Sequence, residues 1–575
     1  MAVIGINDSH DAGGALVEDA SIVGAVNEER FTKRKNDVGF PYNSIRYLDK
    51  ERDGDIDAIA LGWIGGNALV SRIFPQHDVK RRMLWRHELD KPSRLHMHFS
   101  NLVYRASQNQ NPKFLWRAVG SAISSTITRK KLGRIRKGLS EKKVYVVEHH
   151  LAHAASAYYP SGFKKALIIT LDGAGDGLSG SVSIGNRGEI ERLASFKAST
   201  SLGLLYGAAT VACDMRYSED EGKLMSLAAY SYPKEIKELD EICRYDTKRM
   251  EFVSRRGTRN ELLLAEYMKD HILSKNDRES FAYSVQKHVE EQVRKLVTQW
   301  VDETGVHNIA VAGGFFSNVI TNSMIEHMPE VKHLFIFPQM GDGGLSAGAA
   351  LYVDFMLKGK IGYRQIESAY FGPSYSDEQI YEALKRNRDR SIHHERISDP
   401  EGVAAEMIND GKIVLWFQGG MEYGPRALGN RSVLALPGIY ENREKLNLLI
   451  KKRPYYQPFA STILEEDARK LLDDYVSPNR FMTSANRVRD EYYQDMIAAS
   501  HIDRTTRPQI LGDENKQYRE LIKKVKRGTG IGAVLNTSLN KHGVPIAMSP
   551  EDAIWTLENT GADRLIIGNY LVEKR

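Results

Sequence analysis

Val146-Val147-Glu148-His149-His150-Leu151-Ala152-His153-Ala154-Ala155-Ser156-Ala157-Tyr158-Tyr159, with the sequel Ile168-Ile169-Thr170-Leu171-Asp172-Gly173-Ala174-Gly175-Asp176-Gly177, is the stretch on which the fold turns. An apolar strand runs into a small-residue helix that carries a histidine pair at i and i+4. A second apolar strand then ends in an aspartate and a glycine-rich turn. Residues four apart on a helix share a face, with Cβ atoms roughly 5–6 Å apart. His149 and His153 can therefore present two imidazoles to one metal ion, and Asp172 can add an oxygen. Two histidines are only half a site, and a capping or packing role is the plain alternative.

Toward the N-terminus, residues 2–7 read as a strand and Asn7–Gly14 as a polar turn. Two further strands come next in hairpin succession, Ala15-Leu16-Val17 and Ile22–Val26, closed by Glu28-Glu29-Arg30-Phe31. Residues 41–50 read as a helix and 56–62 as a strand. Actin-like ATPase domains begin in this way, with the first turn facing a nucleotide phosphate or a reacting group, which makes His10 a candidate. From residue 165 the same layout starts again, so a duplicated α/β domain of the actin/Hsp70 type is expected. Asn308–Asn318 is a strand entering a glycine turn, where Gly313, Gly314 and Asn318 could form a phosphate loop at a helix N-terminus; a tight turn explains it equally well. Leu334–Gly344 repeats the strand and acidic turn and brings Asp342 as a fourth donor beside His149, His153 and Asp172. Two imidazoles and two carboxylates suit iron(II), manganese or zinc, and ligand type alone does not choose among them.

At 575 residues the chain exceeds one hydrophobic core, and its 42% apolar and 27% charged content is that of a globular protein. Two cysteines, Cys213 and Cys243, make no disulfide framework and suit a reducing cytoplasm. No secretory leader and no membrane-length apolar run is read in the sequence. The net charge of +6 is uneven: residues 71–143 hold 18 Lys/Arg against four acids. This basic insertion, about 66–143, includes Arg81, Arg82, Trp85, Arg86, Phe114, Trp116 and Arg117. It suits an anionic partner, whether a phosphorylated or lipid-linked acceptor, nucleic acid or an anionic lipid surface, and carries no recognised nucleic-acid motif. A solvated helical insertion is the bland alternative.

A boundary is expected near residues 356–378, with the domains taken as 1–356 and 357–575. Beyond it, helices near 377–386 and 399–410 precede a strand at 412–420 and the segment Glu422-Tyr423-Gly424-Pro425-Arg426-Ala427-Leu428-Gly429-Asn430-Arg431-Ser432. Lys451, Lys452, Arg453 and Arg507 also sit among Gly, Pro and Asn residues rather than on helix faces. That setting fits the bidentate grip of guanidinium on phosphate or carboxylate.

Together, Gly-Ile-x-x-x-His-Asp-Ala, Glu-Glu-Arg-Phe-Thr-Lys, His-His-Leu-Ala-His-Ala-Ala-Ser-Ala-Tyr, Leu-Asp-Gly-Ala-Gly-Asp, Tyr-Gly-Pro-Arg-Ala-Leu-Gly-Asn-Arg-Ser and Leu-Asn-Thr-Ser resemble the NodU/CmcH family of O-carbamoyltransferases. The resemblance spans nearly the whole chain, the basic insertion excepted. It implies a TsaD-like domain of the actin/Hsp70 class over 1–356 and a YrdC-like α/β domain over 357–575. By this resemblance, carbamoyl phosphate and ATP, with magnesium, form a carbamoyl-adenylate in the second domain. The carbamoyl group then passes to an acceptor hydroxyl, sugar-like, at a metal in the first. The implied metal ligands are His149, His153, Asp172 and Asp342, with iron(II) first and manganese or zinc as alternatives, and His10 is the implied general base. Arg426, Lys451, Arg453 and Arg507 would hold carbamoyl phosphate and nucleotide, with Asn536 and Ser538 lining the site. The family's Arg-Pro-Phe-Ala-Pro is Gln457-Pro458-Phe459-Ala460-Ser461 here, and its Gly-Glu-Pro-Ile is Gly543-Val544-Pro545-Ile546, so the second-domain contacts are where departures are expected. A tRNA-modifying threonylcarbamoyl enzyme and a non-catalytic actin-like nucleotide-binding regulator are the competing readings. Acceptor and oligomeric state are not legible.

Overall fold

Uninterrupted apolar runs make the central strands, because a strand covered on both faces has no polar side to show. Ala2–Asn7 (β1) is buried at every position. A computed structural model describes residues 1–52, 54–65, 72, 83, 114–258, 260–360, 362–387 and 391–574, with side chains in 114–132 from residue 118 onward. The described chain forms two compact units, Met1–Glu29 with Asn36–Ile366, and Arg30–Lys35 with Glu367–Arg575.

In the first unit β1 pairs antiparallel with Gly13–Glu18 (β2), which pairs with Ser21–Asn27 (β3). On its other side β1 runs parallel to Ala58–Gly62 (β4), and β4 to Lys143–Val147 (β5). The order is β3-β2-β1-β4-β5. Lys165–Gly175 (β6), Leu178–Asn186 (β7) and Glu189–Lys197 (β8) form a second antiparallel meander. After a short hairpin, Arg244–Asp246 (β9) with Glu251–Val253 (β10), the parallel strands Asn308–Ala312 (β11) and His333–Ile336 (β12) complete it in the order β12-β11-β6-β7-β8. Both sheets share one plan, so the internal echo read in the sequence is a duplication of topology. In each, the central strand opens onto one of the acidic turns.

The helices His149–Tyr158 and Leu345–Lys358 pack closely through small residues. A Cβ at Gly348 would stand 1.9 Å from the Ala152 carbonyl oxygen. Backbone cannot yield there as a flexible side chain can, so Gly348→Ala should cost about 1–3 kcal/mol. A clear fall in the thermal midpoint checks this.

The second unit is built on one mixed sheet. Ile392–Arg396 (β13), Val414–Phe417 (β14), Arg431–Ala435 (β15) and Ala460–Leu464 (β16) precede a small pair, Asn486–Arg487 (β17) with Thr505–Thr506 (β18). Pro508–Leu511 (β19), Ala533–Ser538 (β20), Arg564–Ile567 (β21) and Tyr570–Lys574 (β22) complete the order β13-β22-β21-β14-β15-β20-β16-β19. Trp416, Leu434 and Val534 pack with Leu521, Ile522 and Val525 of the helix Lys516–Thr529. Leu415, Val433 and Leu535 pack with Ile380, Leu384, Ile554 and Leu557 from Asp377–Arg386 and Pro550–Glu558.

Three features differ from the sequence reading. The units divide at Ile366/Glu367, inside the expected stretch 356–378 but beyond the 356/357 cut. The helix Leu345–Lys358 runs through that cut, and the chain after it stays on the first unit, where the Ile366 N–H donates to the Pro160 carbonyl. Glu29–Thr32 is one helical turn, and Arg30–Lys35 belongs to the second unit: Arg30 donates to the Gly424 carbonyl, and Phe31 packs on Met421, Ile546 and Met548. Finally, β6 continues past Asp172 and pairs again at Gly175. Of the basic insertion, Arg72, Met83, the helix Phe114–Leu132 and residues 133–143 are described, and Leu132 and Leu139 enter the core of the first sheet. Arg81, Arg82, Trp85, Arg86 and the side chains of Phe114, Trp116 and Arg117 lie outside the described residues. Among the described residues, no helix is long and apolar enough to cross a membrane.

Candidate active site

Two carboxylates fix the first turn of the helix His149–Tyr158. Glu148 is its N-cap, accepting from the Leu151 N–H, and Asp176 accepts from the His149 N–H. His149 and His153 are buried on one face, as their spacing requires. Asp172 projects where the β6–β7 ladder breaks between Leu171 and Gly175, a bulge of the kind that re-aims a side chain. Asp342 opens the one-turn helix Asp342–Gly344 that comes after β12.

These four side chains converge, each with a ligand atom within 4.8 Å of the others. His149 Nε2 is 3.1 Å from Asp172 Oδ2 and 3.8 Å from Asp342 Oδ1; His153 Nε2 is 3.6 Å and 3.3 Å from the same atoms. Two neutral imidazoles and two carboxylates match the charge and donor preferences of a divalent transition-metal ion, so the residues fit one. Among the described residues, the Nδ1 atoms of both histidines lack the outer hydrogen-bond partner that ligating histidines usually have.

His10 stands beside the group, its Nε2 2.9 Å from Asp342 Oδ2 and its Nδ1 3.3 Å from Asp11 Oδ2. Burial opposes its charge, but the Asp342 and Asp11 carboxylates prevail and raise its pKa to about 10. His153 behaves alike: burial lowers its pKa, and Asp172 and Asp342 outweigh that, to about 9. Burial, then the neighbouring His149, holds His150 down to about 3, so it is neutral and packs against Thr170.

The Gly313-Gly314 turn reaches the same place, since the Gly314 N–H donates to Asp172 Oδ1 at 3.2 Å. Asn318 caps the helix Val319–Glu326 and exchanges hydrogen bonds with Gln286, so its side chain is committed to the fold. Sequence reasoning missed three supports. Asn7 Nδ2 donates to the carbonyls of His10, Asp11 and Asp342, tying the two acidic turns together. Asp176 holds Ile64, Gly65 and His149 through their N–H groups. Trp63 packs on the His149 ring. The second aspartate of Asp-Gly-Ala-Gly-Asp was the one signal available. A Cβ on Gly175 would fall 2.2 Å from the His149 ring, so Gly175→Ala should displace that ligand and lose cation affinity by at least about tenfold. Zinc titration with a competing chelator checks it.

In the second unit Arg426, Arg453 and Arg507 come together. Burial lowers the pKa of Arg426 to about 10; burial and Arg426 lower that of Arg453 to about 10; burial with Arg426 and Arg453 drives that of Arg507 well below its ordinary value. Guanidinium keeps its proton in proteins, so the shifts express crowded, uncompensated positive charge. No carboxylate pairs with any of the three among the described residues, and Nε of Arg426 and of Arg507 has no partner. Asn536 lies beside them, donating to the Ala427 carbonyl, while its own buried Oδ1 has no partner among the described residues.

Lys451 differs. Its ammonium, lowered well below its usual pKa by burial and then by Arg453 and Lys35, donates to Ser538 and Asn540, so it and Ser538 hold a loop together. Glu422, which sequence reasoning left without a role, shapes the arginine segment. Its Oε1 accepts from the N–H groups of Leu428, Asn430 and Arg431 at 2.8–3.0 Å. Arg431 is buried, donates to main-chain carbonyls and stacks on Phe417, so it is structural.

The chain matches the family model described as carbamoyltransferase N-terminus over residues 2–351 and that described as carbamoyltransferase C-terminus over residues 405–574. It is 33% identical to the uncharacterized protein MJ1051 of Methanocaldococcus jannaschii, over 100% of this chain and 99% of that one. It is 31% identical to the nodulation protein NolNO of Sinorhizobium fredii, over 98% and 79% of the two chains. With the 3'-hydroxymethylcephem-O-carbamoyltransferase of Amycolatopsis lactamdurans it shares 28% identity over 45% and 47%.

Proposed function

This chain belongs to the NodU/CmcH carbamoyltransferase family, enzymes that transfer carbamoyl groups, and from that premise we propose that it is an ATP-dependent O-carbamoyltransferase acting on a sugar-like hydroxyl. The observation that carries the reading is the group Arg426, Arg453 and Arg507, three fixed cations with no carboxylate paired to them among the described residues. Such a group costs stability unless a polyanion answers it, and carbamoyl phosphate beside ATP is one. In a second unit of the YrdC type, the phosphoryl group of carbamoyl phosphate passes to water. A carbamate oxygen then attacks the α-phosphorus of ATP, pyrophosphate leaves, and carbamoyl-adenylate remains. The three arginines bring the anions together and spread the developing charge.

In the first unit, the acceptor hydroxyl oxygen attacks the carbamoyl carbon and AMP leaves. His10 takes the hydroxyl proton, a task that needs its neutral form. His149, His153, Asp172 and Asp342 would hold a divalent cation, iron(II), manganese or zinc, which supplies Lewis-acid polarisation of the carbamoyl oxygen when bound. With Asp342 committed to that cation, its pull on the His10 proton would weaken, and His10 would serve as a base near neutral pH. The basic insertion favours an acceptor bearing phosphate, nucleotide- or lipid-linked. The test is pyrophosphate release from ATP by the whole protein with and without carbamoyl phosphate. Release that requires carbamoyl phosphate is expected; ATP turnover indifferent to it would remove the mechanism.

A further inference from the structure

Residues 62–65, at the end of β4, are held from all sides. The Trp63 N–H donates to the Val147 carbonyl at 2.9 Å, and the Ile64 and Gly65 N–H groups donate to Asp176 at 3.0 and 2.9 Å. The carbonyls of Gly62 and Trp63 each accept from Arg72 Nη2 at 3.2 Å. Arg72 is in turn locked by a buried, two-pronged ion pair with Asp8. Within this clamp Trp63 has φ of 81°, in the left-handed region that a bulky side chain occupies only under constraint. Its ring is 3% exposed; the centroid lies 4.3 Å from that of His149 and 6.0 Å from that of His10. Its indole N–H is buried without a hydrogen-bond partner among the described residues.

A strained backbone and an orphaned donor are separate costs, and both fall on one residue beside the metal-ligand group. Packing against His149 accounts for the ring. It accounts for neither the conformation nor the unused N–H, since phenylalanine would pack as well. We propose that Trp63 is a ligand-contacting residue of this centre, whose indole N–H donates to the oxygen of the carbamoyl group. This rests on the centre being where carbamoyl transfer occurs. Indole nitrogen donates only, so it accepts the carbamoyl oxygen as a partner and rejects the amine. The contact would orient a planar group whose two ends are of similar size.

The test uses full-length, zinc-loaded protein carrying isotope-labelled tryptophan, observed by NMR as ATP and carbamoyl phosphate are added. The Trp63 indole signal is identified by its loss in Trp63→Phe. Downfield movement of that signal is expected, with those of Trp300, Trp416 and Trp555 unmoved. A stationary Trp63 signal overturns the inference. If pyrophosphate is released in the same sample, the proposed activity survives and only this contact falls; without release, both fall.

Discussion

Arg507→Ala loses carbamoyl-phosphate-dependent pyrophosphate release by on the order of 10²–10³-fold while leaving the thermal midpoint unchanged or higher, the first figure being that of a lost transition-state donor. The two halves of this expectation have one cause. Arg507 is pressed by burial and by Arg426 and Arg453, and no carboxylate among the described residues offsets it. Removing it relieves the folded protein of repulsion and deprives the polyanion of a fork. A residue kept for stability would show the opposite pair of signs. Arg507→Lys restores charge without the planar bidentate geometry, so partial recovery at best is expected. If Arg507→Ala unfolds the protein, or leaves release intact, these arginines are not an anion site. Assay of release together with thermal melting separates the cases.

Which parts of this architecture were open to reading from sequence depends on how local their causes are. The His149/His153 pair needs only helical spacing, and Asp172 and Asp342 need only a strand leading into an acidic turn. The duplicated sheet plan was readable because each half repeats a strand, turn and hairpin within one short span. The hidden parts depend on backbone groups that the tertiary structure gathers. Glu422 is one charge among many until the N–H groups of Leu428, Asn430 and Arg431 are seen to converge on it. Asn7 and Asp176 work in the same way. Lys451 shows the same from the other side: its setting in the sequence is that of a phosphate-binding cation, and only the fold shows Ser538 and Asn540 taking hydrogen bonds from its ammonium. Arg30–Lys35 belongs to the second unit for a reason no local pattern carries, the packing of half-buried Phe31 on Met421, Ile546 and Met548, hundreds of positions later.

Asp342→Asn should have the largest effect on the first unit, and proton release is the way to see it. In the metal-free protein at pH 8, His10 and His153, with pKa values raised to about 10 and about 9, both carry protons. A cation can be ligated only by neutral His153, and its charge cancels the attraction that Asp342 exerts on His10. Cation uptake at pH 8 should therefore release close to two protons, and affinity should rise with pH up to about 9–10. The sign for stability is opposite. Both histidines have folded-state pKa values above the unfolded 6.5, so their contribution is fully present below about pH 6.5 and is lost as pH rises through about 9 and 10. The metal-free protein should thus melt progressively lower from about pH 7 to 10, while the zinc-loaded protein should not. Asp342→Asn removes one ligand and the carboxylate that Nε2 of both histidines faces, at 2.9 and 3.3 Å. Proton release should then fall toward about one, because Asp172 still holds the His153 proton, the melting curve should flatten in part with pH, and affinity should drop more than the about 10–100-fold typical of losing an outer partner. Calorimetry in two buffers of different ionisation enthalpy measures the release directly. Undiminished release in Asp342→Asn would mean that the protons come from elsewhere and that Asp342 does not govern His10.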